Sequence, residues 1–426
     1  MTESSAGTHR WVVAIMGTLL QVCLGTVYAW SFFQKPLVDA YGWSNTQVAL
    51  TFSLAICTLG LAAAWGGMNL PRLGPRLMAT AGGALFGLGY LVAALALWLR
   101  WLPLLYAGYG LIAGVGLGLG YVTPVVTAGR WFPDKKGLVT GMVVMGFGFG
   151  ALVMSKALAP ALMALTGRSL PAVFGLLGVV LGGGSVVAAR FLVNPPEGYA
   201  PPDYSAAAKA ADAADQAAPL TPRQCLLSGR FSLMWVMFFC NIAAGISIIS
   251  FQSPLMQDLC RRANSALKPE ALASYGATLI AISSIFNGVG RFFWGSVSDR
   301  IGRAWTFRIM LVTQAAAFAG LMTATSPWVF GALVCYVLLC YGGGFGTMPS
   351  FVLDVFVSRT LAAVVYGVIL TAWSAAGVVG PLIVGFFKDH YAAQAARYSF
   401  IAGAVMLLAG LLISLALSDR RYQPRA

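Results

Sequence analysis

The segment AISSIFNGVGRFFWGSVSDRIGR, Ala281–Arg303, decides how this chain is read. Its first part, Ala281–Ser296, is an apolar run that contains one cation, Arg291, and no acidic residue to pair with it. A guanidinium cannot shed its charge by deprotonation, so in hydrocarbon its cost must be offset by water, carbonyls or an anion. The cluster Asp299-Arg300-Ile301-Gly302-Arg303 then reads as the membrane surface. At about 1.5 Å rise per residue, Arg291 lies roughly 12 Å inside a hydrocarbon core about 30 Å thick. A fixed positive charge near the midplane of a many-span protein suggests a binding site for a small anion.

The rest of the chain supports a membrane setting. Of 426 residues, 59% are hydrophobic and 9% charged, and the mean hydropathy is +0.79. Soluble domains carry about 25% charged residues, so the composition is that of an integral membrane protein. Fifty glycines suit helices that pack closely through small side chains. The seven cysteines, Cys23, Cys57, Cys225, Cys240, Cys260, Cys335 and Cys340, have no metal-ligand spacing and read as small core residues. Met1–Arg10 is polar and the first apolar segment continues past signal length, so no cleavable signal peptide is expected. The net charge of +14 is spread over short loops between apolar spans, which argues against nucleic acid as a partner and for the lipid bilayer.

Twelve apolar spans are expected, at about 11–34, 46–68, 77–99, 103–128, 138–165, 170–193, 231–256, 272–297, 305–324, 328–353, 361–387 and 397–417. The fold class is therefore all-α, with twelve transmembrane helices. Ser44 and Gln47 have the spacing of a capping box opening the second span, and Pro133 breaks the chain between the fourth and fifth. Counting Lys and Arg, the termini and even-numbered loops hold 17 and the odd-numbered loops 8, so both termini are expected in the cytoplasm of an inner-membrane protein. The polar, Pro- and Ala-rich stretch Asn194–Leu220 reads as a cytoplasmic linker. This gives a six-helix half over 1–193, a linker over 194–227 and a second six-helix half over 228–426.

The halves repeat each other. Phe33-Gln34-Lys35-Pro36-Leu37 matches Phe251-Gln252-Ser253-Pro254-Leu255, and Gly67–Gly74 matches Gly295–Gly302. Gly-rich stretches reach Pro124 in one half and Pro349 in the other; the offsets are 218, 228 and 225. Duplicated six-helix halves point to a transporter with its site between them at the midplane.

The pattern Gly-x-x-x-Asp-Arg-x-Gly-Arg, Gly295 to Arg303, resembles the loop motif of the major facilitator superfamily. The first-half copy has Pro71 where the Asp would stand. Gly25-Thr26-Val27-Tyr28-Ala29-Trp30-Ser31, Arg130–Gly137, Asn287-Gly288-Val289-Gly290-Arg291 and Tyr366-Gly367 resemble its oxalate–formate antiporter family, which is similar to monocarboxylate transporters. The resemblance implies alternating-access transport of small carboxylates, with Arg291 on the eighth helix binding the carboxylate. It also implies a Lys on the eleventh helix, after Tyr-Gly-x-x-x-Thr-Ala. This chain has Trp373 there, following Tyr366–Ala372. A dianion would leave one charge unpaired in a low-dielectric cavity. The expected substrate is thus a monocarboxylate such as lactate, pyruvate or formate, with oxalate/formate antiport as the alternative.

Other candidates carry two readings each. Asn287 lies one helical turn before Arg291 and either bonds the substrate or its guanidinium, or holds a neighbouring helix. Tyr28, Tyr121 and Tyr341 line the substrate chamber by resemblance, or serve ordinary packing. Lys156 either snorkels to the outer interface or lines a vestibule. Gly295, Asp299, Arg300, Gly302 and Arg303 read as a gating or loop-locking group rather than a substrate site.

The Gly runs have no Walker Lys. No Asp, Glu or His is placed in mid-membrane: Asp354 falls at a span end, and His9 and His390 near the surfaces. Proton coupling would then have the proton travel with the carboxylate, and anion exchange fits as well. No cofactor or metal is expected, and no nucleophile–base pair indicates an enzyme. A carboxylate sensor on a transporter fold is the competing class, disfavoured because no signalling domain accompanies the spans.

Overall fold

The computed structural model describes residues 10–132, 136–196, 199, 221–356 and 359–422. Twelve helices among them are long and apolar enough to cross a membrane. They are α1 (Arg10–Tyr41), α2 (Asn45–Leu73), α3 (Pro75–Trp98), α4 (Leu102–Trp131), α5 (Val139–Leu165) and α6 (Leu170–Ala189), followed by α7 (Gly229–Ala263), α8 (Pro269–Ile301), α9 (Arg303–Thr323), α10 (Pro327–Phe356), α11 (Val364–His390) and α12 (Ala395–Leu415). Each expected span is present. His9, Pro133 and most of the expected linker lie outside the described residues.

Local chemistry explains the ends. The Ser44 hydroxyl accepts from the Gln47 amide at 3.1 Å, and the Gln47 side chain accepts from the Ser44 amide at 2.9 Å, closing the expected capping box on α2. The repeat also shows in the turns. Gly74, between α2 and α3, has φ +77°, and Gly302, between α8 and α9, has φ +88°. A single left-handed residue suffices to reverse the chain at both places, which only glycine does without strain. One expectation is corrected here. Asp299 and Arg300 belong to the last turn of α8 rather than to a loop, and Gly302 alone forms the connection. The following helix is capped from a distance, by Asp419, which accepts from the Ala304 amide at 2.9 Å.

Helices α1–α6 and α7–α12 form two halves that meet chiefly along α2 with α11 and α5 with α8. Glycines set these contacts. A Cβ at Gly60 would collide with Leu370 and Ser374, and one at Gly148 with the backbone of Gly288. On the face that carries the odd-numbered loops, Asp389 of α11 caps α2 across the interface. It accepts from the Asn45 and Thr46 amides at 2.9 and 2.8 Å and from the Asn45 side chain at 3.1 Å.

Candidate functional site

Arg291 is 3% exposed. Its position follows from glycine-mediated packing of α8 on α10. A Cβ at Gly290 would strike the Leu339 carbonyl, one at Gly342 the Asn287 carbonyl, and one at Gly346 the carbonyl of Arg291 itself. The two backbones therefore run in contact through the turns that carry Asn287 and Arg291. On the other side, Gly148 lets α5 approach Gly288 equally closely.

The guanidinium lies in an aromatic cage. Its carbon sits 5.1 Å from the Phe345 ring centre and 5.9 Å from that of Phe147. Tyr28, Tyr121, Tyr341 and Trp373 complete the enclosure, all buried. Tyr28 packs edge-on to Phe147 at 5.0 Å, Tyr121 to the same ring at 5.1 Å, and Trp373 to Phe345 at 4.7 Å and Tyr121 at 5.3 Å. The Tyr28 and Tyr341 hydroxyls share a hydrogen bond of 2.7 Å. Tyr28 comes from α1, Tyr121 from α4 and Phe147 from α5. Tyr341 and Phe345 come from α10 and Trp373 from α11, so both halves contribute. Tyr28 is aimed by a 3₁₀ turn, Thr26–Ala29, that interrupts α1.

The electrostatics are unbalanced. Among the described residues no carboxylate pairs with Arg291; the Tyr121 hydroxyl approaches the guanidinium, but none of its Nε, Nη1 and Nη2 atoms makes a hydrogen bond of good geometry. The Tyr121, Tyr28 and Tyr341 side chains are its polar neighbours. Asn287 Oδ1 and Trp373 Nε1 are likewise buried without partners. Faces of aromatic rings contribute about 0.5–2 kcal/mol to a cation, against several kcal/mol for desolvating it. The site thus has an unpaired positive charge and an unused indole donor, which an anion with acceptor oxygens would satisfy, while Asn287 Oδ1 is an acceptor that calls for a donor. A cleft lined by Tyr28, Ala151, Gln252, Ser283 and Asn287 leads from the cage toward the odd-loop face. Its volume is about 10 Å³, room for about one water. A cleft of this volume does not admit a carboxylate.

The structure brings together Arg291, Asn287, Tyr28, Tyr121, Tyr341 and Trp373, all named from the sequence. It adds Phe147 and Phe345, which sequence reasoning missed. A weak signal existed: each is an aromatic between glycines, Gly146-Phe147-Gly148 and Gly344-Phe345-Gly346, a pattern that Phe149 shares. The remaining candidates lie elsewhere. Arg303 of α9 pairs with Asp299 of α8 and, at 3.0 Å, with Asp354 of α10, so this network ties three helices of one half. Gly295 is on α8 and Gly302 in the turn after it, and Arg300 is exposed with no partner among the described residues. Lys156 is exposed on a π-helical turn of α5, Met154–Leu158, and donates to the Thr278 hydroxyl of α8 at 2.6 Å. Thr278 is 13 residues before Arg291 on α8, about 20 Å along the axis, so Lys156 is remote from the cage.

Two six-helix halves around a buried charge define a membrane transporter rather than an enzyme. The chain belongs to the Major Facilitator Superfamily, whose family model matches residues 15–381 and 263–426. It is 27% identical to the oxalate:formate antiporter of Oxalobacter formigenes over 376 residues, 87% of this chain and 83% of that one. It is also 27% identical to apicoplast pyruvate carrier 1 of Toxoplasma gondii over 446 aligned residues, 82% of this chain and 79% of that one. The fold matches a crystal structure of a D-xylose–proton symporter with a TM-score of 0.69, at 14% identity, covering 94% of this chain and 97% of that one.

Proposed function

We propose that this protein carries small monocarboxylates across the membrane by alternating access, with lactate, pyruvate or formate as the substrate class. The observation that carries this reading is the buried, unpartnered guanidinium of Arg291 within a cage drawn from both halves. One fixed cation balances one carboxylate. A second carboxylate would face the Trp373 indole, which offers a single N–H donor and no charge. In this reading the Trp373 indole and the tyrosine hydroxyls donate to the remaining oxygens of the ligand, and Asn287 Oδ1 accepts from a ligand hydroxyl such as that of lactate. The names of relatives, an oxalate:formate antiporter and a pyruvate carrier, agree with the carboxylate class. Coupling is by proton symport or anion exchange, and the charge asymmetry of the loops supports cytoplasmic termini in an inner membrane.

The oxalate:formate relative supports a second reading, exchange of oxalate for formate. Uptake of labelled lactate, pyruvate, formate and oxalate into proteoliposomes, with and without an inward proton gradient, separates the two. Saturable monocarboxylate uptake that exceeds oxalate uptake and is abolished in Arg291→Ala supports the first. Oxalate uptake alone overturns it. Uptake indifferent to the proton gradient would remove symport and leave exchange.

A further inference from the structure

A cavity of about 430 Å³ lies away from the cage, between the halves on the odd-loop face. Lys35, Val38, Asp39 and Asn45 line it from the first half, and Asp258, Arg261, Arg262 and Lys388 from the second. Its charge is lopsided. Lys35 pairs with Asp39 at 3.0 Å and Lys388 with Asp258 at 2.8 Å, which accounts for both carboxylates. Arg261 and Arg262 are left with no ionic partner among the described residues, giving the lining a net charge of two positive units. Cations in the last turn of a helix are favoured by its dipole, and that alone would explain two arginines at the end of α7. It does not explain why the surplus faces a cavity shared by both halves.

The cavity also lies along the same helix as the cleft of the deep site. Pro254 of its wall stands two residues from Gln252, which lines the cleft beside Tyr28 and Asn287. Helix α7 thus borders both, with Ile249 and Gln252 at the cleft and, on a different face nearer its end, Asp258, Arg261 and Arg262 at the mouth. A partly enclosed basin of one sign with low-dielectric walls raises the local concentration of counter-ions and their rate of entry.

We propose that this mouth is a second anion site, at which Arg261 and Arg262, flanked by Lys35 and Lys388, capture a carboxylate before it moves to Arg291. The inference rests on the carboxylate reading of the deep site for its ligand, but the charge of the mouth is testable alone. The probe is a cysteine at Ala392, an exposed residue of the cavity wall. Labelling by an anionic and a cationic methanethiosulfonate is followed in the purified protein. Each rate is normalised to free thiol and corrected with the parent chain, none of whose seven cysteines lines the cavity. The anionic reagent should react roughly tenfold faster at low salt, as expected for a focused field. The preference should collapse near 1 M salt, where the screening length falls to about 3 Å. It should reverse in Arg261→Glu/Arg262→Glu and survive in Arg261→Lys/Arg262→Lys. Lactate should slow the anionic reagent in the parent charge background and not in the Glu variant.

Equal labelling by both reagents, or an unchanged preference in the Glu variant, overturns the proposal. A preference lost only in vesicles with anionic lipid means that a headgroup occupies the mouth, and this overturns the role for a free carboxylate. In transport, the Glu variant should raise the KM for lactate at low salt and leave kcat unchanged. If labelling behaves as expected while no carboxylate is transported, the deep-site reading fails and the mouth stands.

Discussion

Replacing Trp373 with lysine tests whether the number of cations in the cage sets the number of carboxylates on the ligand. The Phe345 ring lies between the two positions, 5.1 Å from the Arg291 guanidinium and 4.7 Å from the indole. The two centres are thus within about 10 Å, and at an effective dielectric constant near 20 two cations at that separation repel by about 1.7 kcal/mol. A carboxylate about 4 Å from the new ammonium gains about 4 kcal/mol in the same medium. The repulsion between the cations destabilises the variant itself and is common to both complexes. The gain of the dianion over the monoanion is therefore up to about 4 kcal/mol, less the cost of about 2 kcal/mol or more for desolvating its second carboxylate, which leaves roughly a thirtyfold change in relative affinity. Trp373→Lys should therefore raise the oxalate-to-lactate selectivity at least about tenfold. Trp373→Gln, which opens the same space without charge, should not. The assay is competition of unlabelled oxalate and lactate against labelled substrate in proteoliposomes, with thermal stabilisation by each ligand alongside. A Trp373→Lys protein that is monodisperse and stable without ligand, yet keeps the parent selectivity, would refute the charge-counting argument.

Arg291→Ala should abolish ligand-dependent thermal stabilisation, and Arg291→Lys should weaken it, because an ammonium cannot reproduce the planar fork. Losing one partner of a buried charged contact costs about 2–5 kcal/mol, so carboxylate affinity should fall about thirtyfold or more. Titration of the melting temperature with lactate measures this, and an unchanged apparent affinity in Arg291→Ala would move the site elsewhere. Gly346→Ala should push α10 away from the Arg291 backbone and destabilise the protein by about 1–3 kcal/mol. Gly183→Ala on α6, where a Cβ meets open space, is the control and should leave the melting temperature essentially unchanged.

What could be read from the sequence follows from what each feature needs. The spans were legible because crossing hydrocarbon demands a long apolar run whatever lies beside it, and the repeat was legible because its turns need a left-handed glycine at Gly74 and Gly302. Arg291 was legible because an unpaired cation in such a run has few uses. The extent of α8 was misjudged: Asp299 and Arg300 look like loop residues by charge, but a helix end at a membrane surface tolerates them. Phe147 and Phe345 were missed because their one signal, a glycine on each side, is shared by Phe149 and does not by itself tell a phenylalanine that faces a cation from another. The surplus of charge at the mouth was hidden too. Lys35, Arg261 and Lys388 come from the ends of three separate helices, α1, α7 and α11, and only the packing of the halves brings them together.

The same magnitudes bear on how the carrier cycles. Under the proposed alternating access, the halves close over the cage to change sides, and closure removes Arg291 from any water that reaches it. Without a ligand the guanidinium then depends on Phe345, Phe147 and three tyrosine side chains, and cation–π contacts recover only about 0.5–2 kcal/mol of a desolvation cost of several kcal/mol. With a carboxylate in place the pair is neutral and the Coulomb term at about 4 Å is near 4 kcal/mol at an effective dielectric constant of 20. The loaded carrier should therefore close more readily than the empty one, and the difference, about 2 kcal/mol, predicts exchange roughly thirtyfold faster than net uptake. Preloading proteoliposomes with lactate and measuring entry of labelled lactate tests this directly. Strong acceleration by internal lactate is the expected result. Equal rates from loaded and empty vesicles would mean that the aromatic cage compensates the charge by itself, and that the return of the empty carrier does not limit transport.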